Sequence, residues 1–367
     1  MENVTNSLLP HAFAGQDEQF GRAFSILQQG VEQRAFPGAS VAVTYRGALI
    51  ASKALGRFTY DREAPQVTPE SVYDLASLTK VLATTAACMI LHQRGQFDLE
   101  RPVVDVVPEI TGGDVRRKRI TFRMLLAHSS GLPAYVKLFQ TAHNRQELLE
   151  QASRIALVHE PGSHAEYSDI GFILLGEALE RIAGETLDVF AQREIFSPMR
   201  LQTIRFNPEA ELFSHIPPTE HDNKFRHRVI QGEVNDENAW AMGGVAGHAG
   251  LFSTAYDIAA FAERMLCGGA PLLDLHTVEL FTRRERHPAD TSRALGWDTP
   301  SPPSQSGRYF SPGSYGHLGF TGTSLWIDPQ RHLSVTLLTN RTWPDRSAQA
   351  IKQIRPAFHD AVVEALQ

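Results

Sequence analysis

The sequence predicts an α+β fold, with strands near both ends of the chain and most of the helices between them. Residues 41–54 alternate apolar with small or polar side chains around an Arg-Gly pair, which predicts a hairpin. Residues 324–339 repeat this pattern around Asp-Pro-Gln-Arg, which predicts a strand, a turn and a second strand. Residues 147–155 and 172–182, in the middle of the chain, are predicted to be helices that flank a loop.

Three further helices complete the predicted order of elements. The helix before the hairpin is amphipathic, and its apolar face consists of Phe20, Ala23, Phe24, Leu27 and Val31. A second helix is predicted from about Ser77 to Arg94, because apolar residues recur at helical spacing and Gly95 provides a stop. The C-terminal helix has one apolar face, with a kink expected at Pro356; this face consists of Ile351, Ile354, Phe358 and Val362.

The first chemical motif is Ser77-x-x-Lys80, the only S-x-x-K sequence in the chain. It begins the second helix, so the hydroxyl and the amine lie one turn apart, as in an acyl-transfer nucleophile with its own base. Unpaired N–H groups and the dipole at a helix N-terminus also favour a developing oxyanion. The alternative is a helix-capping serine followed by a surface lysine, so further motifs have to decide.

The second motif, Tyr167-Ser168-Asp169, lies just before the apolar helix at 172–182. A tyrosine on this loop could shuttle a proton between nucleophile and leaving group if a nearby cation stabilises its phenolate. Lys80 could supply that charge. The alternative is a half-buried tyrosine next to a helix-capping Asp169.

The third motif, His317-Leu318-Gly319-Phe320, precedes the C-terminal pair of strands. Glycines along a strand edge let a ligand approach the backbone closely. The N–H of Phe320 could then donate to the same oxyanion as the N–H of Ser77. A plain glycine-rich hairpin explains the pattern equally well when it is considered alone.

Taken together, Ser-x-x-Lys, Tyr-x-Asp and His-x-Gly in this order resemble the class C β-lactamase and penicillin-binding-protein family of serine hydrolases. The resemblance covers nearly the whole chain. It implies a β-lactamase/DD-peptidase-like α+β fold, in which the two ends of the chain form one central antiparallel sheet flanked by helices. A mainly helical subdomain, residues 75–235, is expected to be inserted between residues 1–74 and 236–367. The implied active site lies at the border of the two subdomains.

The resemblance also implies roles for single residues. Ser77 becomes the acylated nucleophile, Lys80 its activating partner and Tyr167 the proton shuttle. Asp169 stands where β-lactamases of the family usually carry asparagine. A carboxylate near Lys80 favours its ammonium form, which shifts the proton-accepting role toward Tyr167.

The glycine-rich segment corresponds to the family's Lys-Thr-Gly strand box. His317 and Gly319 then contact the substrate, as Asp169 does, and Phe320 supplies the second oxyanion amide. A register with Phe320 at the first position is disfavoured, because phenylalanine lacks the polar or cationic group usual there. Leu318 lacks the hydroxyl that helps to hold a β-lactam carboxylate, so efficient β-lactamase activity is not expected.

A dense polar stretch, residues 219–239, leads into a Gly-Gly pair and His248. It resembles a subgroup of the family that includes cell-wall penicillin-binding proteins and muramoyl-peptide amidases. Glu220 and His248 are therefore expected to contact the substrate in the cleft. The alternative is a charged loop that faces water.

Composition excludes several other classes. A net charge of −6 gives no reason to expect nucleic acid or an anionic membrane as partner. The sequence contains no run of 18 consecutive apolar residues, so no membrane span is predicted. Residues 1–19 show no export signal, so the localisation is left open: a cytoplasmic location is expected of the sequence as written, and a periplasmic one if a leader was removed.

No cofactor and no metal are expected. The histidines at 215, 221 and 227 match no recognised zinc spacing. Cys88 and Cys267 support no disulfide framework. The oligomeric state is not predicted.

The sequence therefore predicts a serine hydrolase that acts through an acyl-serine intermediate on ester or amide bonds. The expected substrate is a peptidoglycan-related peptide or a D-amino-acid amide, because the polar stretch favours it. The alternatives are a carboxylesterase with a β-lactamase fold, a class C-type β-lactamase, and a penicillin-binding sensor that is acylated without turnover.

Overall fold

The computed structural model describes residues 8–289 and 291–367. The strands are β1 (Gly38–Tyr45), β2 (Ala48–Gly56), β3 (Tyr73–Asp74), β4 (Arg205–Phe206), β5 (Glu220–Asp222), β6 (Arg228–Ile230), β7 (Leu251–Ser253), β8 (Tyr315–Leu318), β9 (Ser324–Asp328) and β10 (Leu333–Thr339). The α-helices are α1 (Gln16–Gln19), α2 (Gly21–Glu32), α3 (Ala86–Gln93), α4 (Phe122–Leu126), α5 (Arg145–Ala152), α6 (Asp169–Ala183), α7 (Leu187–Ala191), α8 (Glu237–Ala241), α9 (Ala255–Leu266), α10 (Leu275–Thr282) and α11 (Ile351–Glu364).

Five antiparallel strands form the main sheet, in the order β2-β1-β10-β9-β8. β1 pairs with β10 from Ala39 opposite Thr339 to Tyr45 opposite Leu333, so the two ends of the chain meet in the middle of the sheet. This arrangement confirms the predicted α+β fold with one antiparallel sheet.

Helices cover both faces of this sheet. Side chains that alternate along a strand point to opposite faces, and β1 divides accordingly: Val41 and Val43 join one apolar cluster, whereas Ala42 joins the other. The first cluster packs β1 and β10 against α2 and α11, and its members include Phe20, Leu27, Val335, Phe358 and Val362. On the other face, α9 packs against β1 and β10. Strands β1 and β10 are therefore buried along almost their whole length.

The predicted N-terminal hairpin is confirmed. Arg46 and Gly47 join β1 to β2, and both have positive φ, 50° and 85°. A two-residue turn with this geometry matches the twist of antiparallel strands.

The helix predicted from Ser77 to Arg94 is not one continuous α-helix. The chain forms a 3₁₀ turn at Ala76–Leu78, a π-helical segment at Lys80–Thr85 and then α3. Ala76 has φ 48°, a left-handed conformation that cannot begin a regular α-helix. The spacing of apolar residues does not reveal this irregular start, because 3₁₀, π and α segments bury similar positions over a few residues.

The remaining helices agree with the predictions apart from their ends. α5 and α6 begin earlier than predicted, because Asn144 and Ser168 cap them by accepting hydrogen bonds from the backbone N–H groups of Glu147 and Gly171. α11 continues through Pro356. In the described part of the chain, none of the helices has the length and apolar character needed to cross a bilayer. The predicted division into two subdomains stays a prediction.

Candidate active site

A cavity of about 590 Å³ lies beside β8, an edge strand of the main sheet. Several side chains singled out in the sequence line it, namely Ser77, Tyr167, Asp169, His248, His317, Gly319 and Phe320. Asp236 and Glu237, from the polar stretch at 219–239, also line it. Further polar lining residues were not singled out, among them Arg293, Arg341, Arg346, Lys352 and Arg355.

The turn that carries Ser77 is held by Asp74, the last residue of β3. One oxygen of this buried carboxylate accepts from the N–H of Ala76 at 2.8 Å, and the other accepts from the N–H of Asn235 at 2.6 Å. Burial raises the pKa of Asp74 to about 6, although these two hydrogen bonds act in the opposite direction. The left-handed conformation of Ala76 then directs the next residue, Ser77, out of the strand and toward the cavity.

Lys80 is fully buried behind Ser77. Its Nζ donates to Ser77 Oγ at 3.0 Å, to Asp169 Oδ1 at 2.7 Å and to the carbonyl oxygen of His248 at 2.9 Å. Burial lowers the pKa of Lys80, but Asp169 and then Tyr167 together raise it by more. The net pKa therefore lies above its ordinary value. Lys80 is therefore an ammonium group with three acceptors.

Tyr167 lies on the other side of Ser77. Its Oη is 2.7 Å from Ser77 Oγ and 3.1 Å from Asp169 Oδ1. Burial and then the Asp169 carboxylate raise the pKa of Tyr167 to about 12, although Lys80 and Ser77 lower it. The resting side chain is thus a neutral phenol.

His128 fixes the loop that carries Tyr167. The two rings pack with 4.7 Å between their centroids, and His128 Nδ1 accepts from the N–H of Ser168 at 3.0 Å. Burial lowers the pKa of His128 well below its ordinary value, so the imidazole is neutral and its Nδ1 is free to accept. Phe172, at the start of α6, packs on the same imidazole.

The segment after β8 is attached to the backbone just before Ser77. Thr321 Oγ1 donates to the carbonyl oxygen of Asp74 at 2.8 Å, and Thr323 Oγ1 donates to that of Leu75 at 3.0 Å. These bonds hold Phe320 against the Ser77 turn. Within residues 8–289 and 291–367, the N–H groups of Ser77 and Phe320 have no acceptor.

Gly319 is required by close packing at this junction. A Cβ at this position would lie 1.9 Å from Thr323 Oγ1 and 2.6 Å from the carbonyl oxygen of Leu75. Any larger residue would push the segment away from the Ser77 turn.

His317 is buried at the cavity wall. Its Nδ1 contacts the carbonyl oxygen of Leu318 at 2.8 Å, and its Nε2 has no partner in the described residues. Burial, followed by Lys80 and Arg293, lowers the pKa of His317 to about 3. The side chain at the start of the strand box is therefore polar and uncharged.

The polar stretch at 219–239 reaches the cavity at its end, where Asn235, Asp236 and Glu237 line it. His248 lines the cavity, and its Nε2 lies 2.8 Å from Asp236 Oδ1. Glu220 does not line it, because its carboxylate is occupied by Arg346 at 2.8 Å and Asn235 at 3.0 Å. Glu220 therefore supports Arg346 in the structure, and its expected contact with the substrate stays a prediction.

Sequence reasoning missed the arginines of the cavity. Arg293 lies over the Tyr167 ring at 5.6 Å, whereas Arg341 lies over the Phe320 ring at 4.6 Å. Arg346 pairs with both Glu220 and Glu237 at 2.8 Å. None of these arginines stands in a recognisable short motif, so the sequence alone does not indicate their place in the cavity.

Comparison with known proteins identifies the family. The β-lactamase family model matches residues 24–357. The chain belongs to the β-lactamase family. This β-lactamase-family chain is 34% identical over 343 residues to an N-acetylmuramyl-L-alanine amidase of Bacillus subtilis, with 83% of this chain and 77% of the relative covered. It is 36% identical over 307 residues to a putative D-alanyl-D-alanine carboxypeptidase of Salmonella agona, with 75% and 70% covered.

Solved β-lactamase-fold structures agree with this family. EstCE1, a hydrolase with promiscuous acyltransferase activity, superposes with a TM-score of 0.79 at 21% identity, over 95% of this chain and 100% of the other. A penicillin-binding-protein homologue from Caulobacter crescentus gives 0.75 at 17% identity, over 95% and 98%. At these identities the likeness shows the fold alone. The family and its named relatives support a hydrolase with a β-lactamase fold.

Proposed function

We propose that this protein is a serine hydrolase that forms an acyl-serine intermediate on Ser77. One observation carries the proposal: Ser77 Oγ lies at the cavity surface, 2.7 Å from Tyr167 Oη and 3.0 Å from Lys80 Nζ. A hydroxyl within hydrogen-bond distance of two groups that can hold or stabilise its proton is the arrangement of an activated nucleophile.

Tyr167 is the proposed proton acceptor. Lys80 is held as an ammonium by Asp169, so it serves as a positive charge that stabilises the Tyr167 phenolate. The phenolate takes the Ser77 proton as Oγ attacks the substrate carbonyl, and Tyr167 then returns the proton to the leaving group. Because the pKa of Tyr167 is about 12, little of this side chain is phenolate at neutral pH. The rate should therefore rise with pH.

The N–H groups of Ser77 and Phe320 are the proposed oxyanion donors. Neither has another acceptor in the described part of the chain, and the hydrogen bonds of Thr321 and Thr323 hold both next to the same turn. Donors fixed in advance stabilise the tetrahedral intermediate without reorganisation. Attack by water on the acyl-serine would complete the cycle.

The cavity favours an acyl donor that carries a carboxylate. Arg341 and Arg355 line it, and neither forms a salt bridge with a carboxylate of the described residues. Burial and then Arg341 lower the pKa of Arg355 to about 9, as expected for buried cations that lack a counter-ion. A substrate carboxylate would supply that counter-charge.

We therefore propose a peptidoglycan-related peptide or a D-amino-acid amide as the substrate. The relatives at 34% and 36% identity are named as an N-acetylmuramyl-L-alanine amidase and a putative D-alanyl-D-alanine carboxypeptidase, and both names refer to peptidoglycan-related amide bonds. The carboxylate preference of the cavity is consistent with such peptides.

A carboxylesterase is the second candidate. Leu318, Phe320 and Ile351 contribute apolar surface to the cavity, which suits a hydrophobic acyl or alcohol group. Esters also demand less of the leaving-group acid than amides do, so activated esters are expected to be cleaved in either case.

A substrate panel tests the proposal. It comprises muramoyl peptides, D-alanyl peptides, p-nitrophenyl esters and a chromogenic cephalosporin, each assayed with the wild type and with Ser77→Ala. Turnover of a peptide that disappears in Ser77→Ala supports the proposal, and turnover of esters alone favours the carboxylesterase. Rapid cephalosporin hydrolysis favours the β-lactamase. A persistent adduct without turnover favours the sensor.

Tyr167→Phe tests the proton transfer separately. Loss of a general base lowers turnover by about 10²–10⁴-fold. A well-folded Tyr167→Phe variant with near-normal turnover would exclude the shuttle role.

A further inference from the structure

A second group of reactive side chains lies outside the cavity. Glu263, Cys267 and His332 each offer one ligand-type atom, and these atoms all lie within 4.8 Å of one another. Glu263 and Cys267 are four residues apart at the C-terminal end of α9, and His332 belongs to the turn between β9 and β10. The β8–β9 turn beside Ser77 lies at the other end of β9, so this group is separate from the proposed catalytic residues.

The carboxylate of Glu263 is at the centre of the group. Its Oε1 lies 3.1 Å from His332 Nε2 and 3.7 Å from Cys267 Sγ. Its Oε2 is buried and has no hydrogen-bond partner in the described residues. Neither a lysine nor an arginine of the described residues forms a salt bridge with this carboxylate. A buried carboxylate with one empty oxygen and no permanent cation is unfavourable unless a cation joins it.

We propose that Glu263, Cys267 and His332 bind one zinc ion or a divalent cation of similar ligand preference. Thiolate, imidazole and carboxylate are the ligands of zinc, whereas calcium and magnesium require oxygen ligands alone. Zinc bond lengths and tetrahedral angles separate neighbouring ligand atoms by roughly 3.3–3.6 Å. The two separations measured from Glu263 Oε1 bracket this range. Water completes the fourth position, because Cys267 and much of His332 are exposed.

The ion joins α9 to the end of the main sheet. His332 has φ 53°, and its carbonyl oxygen accepts from the N–H of Arg46 in the β1–β2 turn. A metal bond to His332 therefore fixes two turns against the C-terminal end of α9. The expected role is stabilisation of the fold, since a ligand that binds only the folded state stabilises it.

Cobalt titration tests the site directly. Protein that has been reduced, treated with EDTA and dialysed is titrated with Co²⁺, which reports tetrahedral thiolate ligation by a near-ultraviolet charge-transfer band. We expect the band to saturate at one Co²⁺ per chain and to disappear when Zn²⁺ is added. Zn²⁺ should also raise the melting temperature of the wild type.

Matched variants make the result specific. Cys267→Ser should abolish the charge-transfer band and the thermal shift, and His332→Ala should weaken Co²⁺ binding by more than about 10-fold. Cys88→Ala and His276→Ala, which remove a buried thiol and an exposed imidazole elsewhere, should leave both readouts unchanged. Absence of the band, or its persistence in Cys267→Ser, would overturn the proposal. The test does not involve Ser77, so it is independent of the proposed function.

Discussion

Lys80 and Asp169 form a buried ion pair at the base of the cavity, with 2.7 Å between Nζ and Oδ1. The same carboxylate oxygen lies 3.1 Å from Tyr167 Oη. Asp169 therefore raises the pKa of both groups that contact Ser77, the amine and the phenol. This one side chain therefore favours the protonated form of both groups.

The first prediction concerns Asp169→Asn. Removing the negative charge lowers the pKa of Tyr167 and of Lys80, because that charge favours their protonated forms. The base then loses its own proton at lower pH, so the rising limb of log kcat/KM against pH moves to lower pH. Ester hydrolysis followed across the pH range measures the shift. The control Asp114→Asn, which breaks the exposed pair with Arg116, should leave the profile unchanged.

A rising limb that stays in place, or moves to higher pH, in Asp169→Asn would contradict this prediction. It would show that neither Tyr167 nor Lys80 is the base whose ionisation limits the rate.

The second prediction concerns the packing at Gly319. In Gly319→Ala the new methyl group overlaps Thr323 Oγ1 and the carbonyl oxygen of Leu75, so the Phe320 N–H moves away from Ser77. Loss of one oxyanion donor lowers kcat by about 10²–10³-fold. Gly313→Ala is the matched control, because nothing lies within 4 Å of its added Cβ. Equal activity of the two variants would argue against Phe320 as an oxyanion donor.

The third prediction concerns substrate charge. Arg355→Gln removes a buried cation from the cavity and should raise KM for a peptide with a free carboxylate by about 10-fold or more. KM for the corresponding peptide amide should change less. Arg355→Lys, which keeps the charge, should restore part of the difference. If both substrates lose affinity equally, Arg355 has a structural role and does not recognise charge.

The fourth prediction concerns stability. Buried Asn340 follows β10, and its Nδ2 donates to the carbonyl oxygens of Phe58 at 2.8 Å and Pro218 at 2.9 Å. Asn340→Ala leaves both acceptors unpaired, so the free energy of unfolding should fall by about 1–3 kcal/mol. Exposed Asn223 provides the control, since Asn223→Ala should change it by less than about 0.5 kcal/mol. Denaturant unfolding measures both, and equal values would contradict the assigned role of Asn340.

Much of the fold follows from local patterns in the sequence. Alternation at 41–54 and 324–339 correctly predicted strands, because one strand face packs on α2 and α11 and the other packs on α9. The helix expected from Ser77 was wrong in its first turns, because Ala76 adopts a left-handed conformation in a turn that Asp74 links to the distant Asn235. Local propensity carries no information about such contacts.

The candidate site was predictable only where a motif marks it. Ser77, Lys80 and Tyr167 stand in recognisable motifs, and the structure brings them together. Arg341, Arg355 and the Glu263–Cys267–His332 group do not, because their proximity depends on chain segments far apart in sequence; Glu263 and His332 are 69 positions apart. The placement of Glu220 behind Arg346 likewise depends on β5 and the segment before α11 meeting in the fold.

The most direct test is to locate the acyl group. Wild-type protein is mixed with an activated ester, quenched in acid during turnover, digested and analysed by mass spectrometry. An acyl adduct on the peptide that contains Ser77, absent from Ser77→Ala and from protein quenched after the ester is consumed, is the predicted result. Undiminished hydrolysis by Ser77→Ala, or an adduct on a different residue, would contradict the proposed mechanism.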